Sequence, residues 1–214
     1  MRLQLGAGPR PFDGFVNIDP RPGPGIVRGE AHRLPYADGT VEMIFSNAMF
    51  EHIYLVQQML AVKEWARVLT PDGVAVVLGL PDFEMIARLY LARASGVKRE
   101  VFDAFEVYRY THGFPEATQP ADWVNWSSVE HLNDAPVEWL PQLHKGIFDA
   151  RGVRELCDVA GLQVAIWRYC SPGEVHPLSL AVLAGHRMHD LSTLMSVPHL
   201  RDFVDVVTLD EVAA

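Results

Sequence analysis

In Leu3-Gln4-Leu5-Gly6-Ala7-Gly8 a short apolar strand runs into a Gly-x-Gly turn, and in Val16-Asn17-Ile18-Asp19 a second one ends in a carboxylate. An α/β fold presents a nucleoside in this way. Glycines let the backbone approach the ligand, and the acid accepts hydrogen bonds from ribose hydroxyls. The gap between the glycines and Asp19 is about half the ~20 residues of a dinucleotide fingerprint, and no Gly-x-Gly-x-x-Gly pattern occurs, which disfavours a nicotinamide oxidoreductase.

The rest of the chain extends the same pattern. A third strand is expected around Ile26–Arg28 and a fourth over Val41–Ser46. From Ile53 to Leu69 the spacing is helical, with Val56, Met59, Leu60, Ala66 and Leu69 expected on the buried face. Thr70-Pro71-Asp72-Gly73 reads as a turn, and Val74–Leu80 as a strand covered on both faces. Helices are expected near Glu84–Ala94, near Lys98–Arg109 and after the N-cap residue Asp149. Leu162–Tyr169 and Leu178–Gly185 complete the set as an antiparallel hairpin. The expected fold class is α/β: a Rossmann-like, mostly parallel sheet with a C-terminal antiparallel hairpin and shortened first crossovers. Residues 1–214 form one domain on this reading, with an aromatic-rich insertion after strand 5 (83–143) and a C-terminal extension (186–214).

Composition narrows the function. The 214 residues are 49% hydrophobic, enough for one sizeable core. No run approaches the ~20 apolar residues of a membrane span. The start leads straight into motif residues, so no signal peptide is expected, and Cys157 and Cys170 are too few for a disulfide framework. A cytoplasmic protein is expected. The formal net charge of −9 argues against nucleic-acid binding.

Several ordered segments resemble class I S-adenosylmethionine-dependent methyltransferases. The nearest resemblance is to small predicted methyltransferases that open with a Leu-Asn-Leu-Gly-Cys-Gly-type motif and are often linked to glycan biosynthesis. Leu3–Gly8 is similar to motif I, with Ala7 in place of the usual Cys. Glu30 through Gly39 resembles the family's Asp-Ala-x-x-Leu-Pro-Phe-x-Asp-x segment, with Glu30 one methylene longer. Val41–Ile53, containing Glu51-His52, resembles the fourth strand and its Leu-Glu-His sequel. Glu64–Gly73 and His144–Leu162 are similar to later family segments.

The resemblance implies S-adenosylmethionine as cofactor. It places Leu5, Gly6, Ala7 and Gly8 against the cofactor's amino-acid end, Asp19 at the ribose, and Glu30 and Ala31 at the adenine. Ser46 and Asn47 lie just past a strand's carboxyl end, where ligands of open α/β sheets collect. His144, His112 and Asp82 are the candidates for an acid–base role near the acceptor, which is expected to be a small molecule or glycan methylated on oxygen or nitrogen. No ligand spacing is diagnostic of a metal. The rival reading is a methyltransferase-like subunit without catalysis.

One feature is physical rather than familial. About seven residues (Pro9 to Phe15) join strand 1 to strand 2, and about six (Pro20 to Gly25) join strand 2 to strand 3. A helical crossover needs at least ~10–12. This edge of the sheet should therefore lack one or both of its usual covering helices. The insertion, the C-terminal tail or a homodimer contact must cover it. Leu200, Phe203, Val204 and Val207 have the spacing of an amphipathic helix in the tail.

Overall fold

The first five strands form the parallel part of the sheet despite the short connectors between the first three. The computed structural model describes residues 1–21, 23–96, 100–112 and 144–213. Strands β1 (Arg2–Leu5), β2 (Val16–Asp19), β3 (Ile26–Arg28), β4 (Val41–Asn47) and β5 (Leu69–Pro81) are mutually parallel where they pair. Strand β7 (Ser179–Gly185) inserts antiparallel between β5 and β6 (Gln163–Tyr169), and the two-residue β8 (Asp210–Glu211) pairs with the outer edge of β6. The order is β3-β2-β1-β4-β5-β7-β6-β8. The chain reverses direction of winding between β1 and β4, so a crevice opens there beyond the carboxyl ends of the strands.

Helix α1 (Leu55–Val68) connects β4 to β5. Its buried residues are Gln58, Ala61, Val62, Trp65 and Val68, whereas Val56, Met59 and Leu60 face outward. The expected phase is therefore corrected by about one residue. Gln58 goes inside because its amide donates to the carbonyls of Phe50 (3.2 Å) and Ile53 (2.9 Å). Trp65 goes inside with its Nε1–H on the Ala31 carbonyl at 2.9 Å. The expected turn at residues 70–73 is absorbed into β5, which starts directly after α1 and shifts register against β4 between Val41 and Met43. Gly73 permits this, since a Cβ there would lie 2.8 Å from the Val41 carbonyl.

Helix α2 (Phe83–Leu91) follows β5, and α3 (Ala104–His112) follows it. Trp123, Trp126, His131 and Trp139 lie outside the described residues. Helix α4 (Ala150–Asp158) starts at the expected cap, with Asp149 accepting the Gly152 amide at 2.7 Å.

The two faces of the sheet are covered differently. On one, Leu5, Ile18, Ile44 and Val77 pack against α1 and α4. On the other, among the described residues, no helix spans the β1–β2 or β2–β3 connection. Phe45, Val76, Leu78, Trp167 and Leu183 are covered there by Phe12 and by Leu194, Val197, Leu200 and Val204 of the tail. The tail is not the single amphipathic helix its spacing suggests. It folds as a short helix α5 (Leu191–Met195) and two single turns, at Leu200–Asp202 and Val206–Thr208. His199 at φ 58° breaks the helical path, and Val207 points to solvent. Among the described residues, no helix is long and apolar enough to cross a membrane.

Candidate active site

The crevice at the β1/β4 switch holds a cavity of ≈ 380 Å³, within the range of small-molecule sites. Its floor is Leu5 and Gly6 at the end of β1, and one wall is Ile18 and Asp19 at the end of β2. Glu30 and Ala31 beyond β3 form a second wall. Ala48, Met49, His52 and Ile53 beyond β4 form the third.

Gly6 must be bare. It has φ 69°, and a Cβ there would come within 2.4 Å of Met49 Cγ. The turn is locked onto β2: the Gly6 and Ala7 amides both donate to the Ile18 carbonyl, at 2.9 and 3.2 Å. The Gly8 amide donates to Asp19 Oδ2 at 3.0 Å. The glycine turn therefore contributes close approach rather than spare amide donors. Asp19 is buried, and its Oδ1 accepts from the Arg21 amide at 2.8 Å and the Arg21 Nε at 3.3 Å. A carboxylate offers about four acceptor positions, two per oxygen, and three are taken, so Oδ2 keeps one toward the cavity. A wall acid with an acceptor position open to a ribose hydroxyl, a bare glycine floor and a mainly apolar lining fit an S-adenosylmethionine nucleoside.

A second cavity of ≈ 370 Å³ adjoins the first and shares Ala48 with it. Glu51, Arg109, Tyr110, His144 and Tyr169 line it. The single-turn segment Phe50–His52 stands between the two, so that Glu51 faces the second cavity and its neighbour His52 faces the first. Glu51 is fully buried, and burial pushes its carboxyl up to about 8. His144 is pushed down to about 4, chiefly by burial and secondarily by the neighbouring His52. The two imidazoles lie edge to face with centroids 5.0 Å apart. Burial also raises the Tyr110 and Tyr169 hydroxyls well above the ordinary tyrosine range.

The other expected site residues are placed as follows. Asn47 lines the second cavity rather than the first. Ser46 is fully buried, and Ala7 is buried beneath the turn. Gly8 borders a separate cavity on the far side of Asp19. Asp82 caps α2 by accepting the Glu84 amide at 3.1 Å and pairs with Arg168, out of both cavities. His112 ends α3, with its ring against Thr111 Oγ1 at 2.8 Å and its carbonyl on the His144 amide at 2.8 Å. Met49 and Ile53 are cavity residues that sequence reasoning did not single out, and His52 entered it only through the Leu-Glu-His resemblance. The only signal for the first two is their position just past β4.

Residues 16–77, from β2 to near the end of β5, match the family model described as a methyltransferase domain. No curated protein sequence matches the chain. Among solved structures, a S-adenosylmethionine-dependent methyltransferase of Thermotoga maritima superposes with a TM-score of 0.52 at 13% identity, covering 87% of this chain and 82% of that one. One from Methanosarcina mazei gives 0.52 at 12% identity, with 88% and 92% covered. One from Archaeoglobus fulgidus gives 0.50 at 10%, with 86% and 84% covered. These likenesses carry the fold, the Rossmann-like sheet of class I methyltransferases, and the family match covers the segment from β2 to β5. The chain thus has the fold seen in S-adenosylmethionine-dependent methyltransferases, and its residues 16–77 match a methyltransferase domain.

Proposed function

We propose that the chain transfers a methyl group to an oxygen, or a nitrogen, of a small polar molecule or glycan bound in the second cavity. The observation that carries this reading is the pair of adjoining cavities, which meet at Ala48 and at the Glu51-His52 turn. Bound S-adenosylmethionine supplies a methyl group already activated on a positive sulfur, so the protein's work is alignment.

Asp19 is assigned to the ribose hydroxyls, Glu30 and Ala31 to the adenine, and Leu5 and Gly6 to the cofactor's other end. Polar groups beside aromatic rings suit a hydroxylated acceptor: Asn47, Arg109 and His144 stand with Tyr110 and Tyr169. His144 is uncharged at neutral pH. Its Nδ1 lies 3.1 Å from the Tyr110 carbonyl, which can only accept, so Nδ1 carries the hydrogen and Nε2 the lone pair. That lone pair takes a hydrogen bond from an acceptor O–H or N–H. His112 and Asp82 keep the supporting roles described above. Residues 83–143 are read as the segment that shapes acceptor choice, because Arg109 and Tyr110 of α3 belong to the second cavity.

Calorimetry with S-adenosylhomocysteine tests the cofactor site. The full chain is expected to bind one equivalent. Asp19→Ala, which removes a charged acceptor for a ribose hydroxyl, is expected to weaken binding about 10–100-fold. Thermal melting of the variant separates lost binding from lost folding. A wild-type chain that binds none at millimolar concentration overturns the reading in favour of a non-catalytic subunit.

A further inference from the structure

The Glu51-His52 turn and His144 are far apart in sequence, yet each offers one ligating atom within 4.8 Å of the other two. Glu51 Oε1 and His52 Nε2 are 3.7 Å apart. Two ligands at ~2.0–2.1 Å on one tetrahedral ion stand about 3.4 Å from each other. The Glu51–His52 pair is therefore close to a chelating separation, and His144 lies within 4.8 Å of both.

Two details point to a ligand rather than to packing. Glu51 Oε2 is buried without a hydrogen-bond partner among the described residues, an expensive state for a carboxyl oxygen. His144 is held through Nδ1 on the Tyr110 carbonyl. Metal-ligating histidines are commonly oriented in this way: the far ring N–H is fixed on a carbonyl and the other nitrogen is left to coordinate. His52 also borders the cofactor cavity, and Glu51 and His144 border the acceptor cavity.

We infer that Glu51, His52 and His144 form a binding site for one divalent transition-metal ion between the cofactor and acceptor cavities. Two imidazoles and one carboxylate favour zinc, manganese or iron over magnesium and calcium, which prefer all-oxygen shells. Three protein ligands leave coordination positions open for water or for an acceptor oxygen. The inference rests on the acceptor cavity proposed above. With the ion bound, His144 reaches the acceptor through it rather than directly.

The test is titration of the chelator-stripped full chain with zinc chloride, and separately with manganese chloride, followed by calorimetry. One equivalent is expected to bind in each case. His144→Ala and Glu51→Gln are each expected to weaken zinc binding by more than about tenfold, since even removal of a supporting group around a metal costs ~10–100-fold. His186→Ala, a surface histidine on the Ala66 carbonyl, is expected to leave binding unchanged. Circular dichroism and S-adenosylhomocysteine binding verify that the variants fold. Absence of a zinc or manganese equivalent in the wild type, or equal binding by folded His144→Ala, overturns the inference. If S-adenosylhomocysteine binds while the metals do not, the metal site fails and the methyltransferase reading stands. If S-adenosylhomocysteine does not bind, it is the latter that fails.

Discussion

At the scale of single residues, Gly6 and Gly8 look alike in sequence and differ in what holds them. Both have positive φ, so a side chain at either strains the backbone. Only at Gly6 does an added Cβ also collide, 2.4 Å from Met49 Cγ; at Gly8 nothing lies within 4 Å. Gly8→Ala is therefore expected to cost about 1 kcal/mol, the low end for a non-glycine residue in that region. Gly6→Ala adds the displacement of Met49, a wall of the cofactor cavity, and is expected to cost about 2–3 kcal/mol and to weaken S-adenosylhomocysteine binding as well. Denaturant melts and calorimetry on the two variants check the difference. Equal losses would mean that Met49 yields without effect. The glycines and Asp19 were legible because their chemistry is local: a turn and a strand end. The meeting of Glu51, His52 and His144 was not, because it depends on how the chain returns to the sheet at Phe148, which bridges to Asp82 beyond the end of β5. A histidine before a helix carries no sequence mark of the partner it will face.

At the scale of elements, α1 shows why hydrophobic spacing misplaced a face that the structure resolves. Its inner side combines Gln58, Ala61, Val62, Trp65 and Val68. Small and hydrogen-bonded residues let the helix approach the sheet closely, while the larger aliphatics Leu55, Val56 and Leu60 stay outside. A scale that ranks residues by apolarity alone misses the buried Gln58 and does not separate these outer aliphatics from Val62 and Val68. The far end of α1 is tied to the loop behind the Glu30-Ala31 wall of the first cavity by Arg67. Its guanidinium donates to the Leu34 and Tyr36 carbonyls at 3.1 and 2.8 Å and to Glu64 at 2.8 and 2.9 Å, and reaches Asp38 at 2.6 Å. Glu64 in turn accepts the Leu34 amide at 2.8 Å. A lysine has the charge without the fork, so Arg67→Lys is expected to destabilise the fold by about 1.5–3 kcal/mol. The pH dependence follows from Glu64, whose carboxyl is held below the ordinary range first of all by its hydrogen bond from Arg67. A depressed carboxylate contributes its full stability above the unfolded value, about 4.3, and loses it as pH falls through the lower folded value. The gap in melting temperature between wild type and Arg67→Lys should therefore be constant near neutrality and narrow below about pH 4. A gap that widens in acid would contradict this role.

At the scale of the whole molecule, the connector lengths made a bare sheet face legible in advance: the segments between β1, β2 and β3 are too short and too rich in proline and glycine for helices. What covers the face was not legible, since the tail's spacing promised one helix and the chain forms turns instead. Those turns nevertheless bury Leu194, Val197, Leu200 and Val204 against β4, β5, β6 and β7. Phe203 adds ring contacts to Phe12 and Phe45, at centroid distances of 6.1 and 5.7 Å. The tail is further anchored by the Cys170 amide on Thr208 Oγ1 at 2.9 Å and by Arg154 on the Val212 carbonyl at 2.5 Å. Burial of each aliphatic side chain is worth ~1.5–3 kcal/mol, so the four together match the ~5–15 kcal/mol by which a whole domain is stable. Deletion of the residues after Asp190 is therefore expected to abolish cooperative melting and to leave a species that exposes Phe45, Trp167 and Leu183 and aggregates. Scanning calorimetry and light scattering read this out. Phe203→Ala is the graded version: the side chain is only partly buried, so a loss of about 1–3 kcal/mol is expected, below the ~3–5 of a fully buried phenylalanine. A truncated chain that melts like the full one would mean that another surface shields the sheet, and a second copy of the chain would then be the cover to seek by ultracentrifugation.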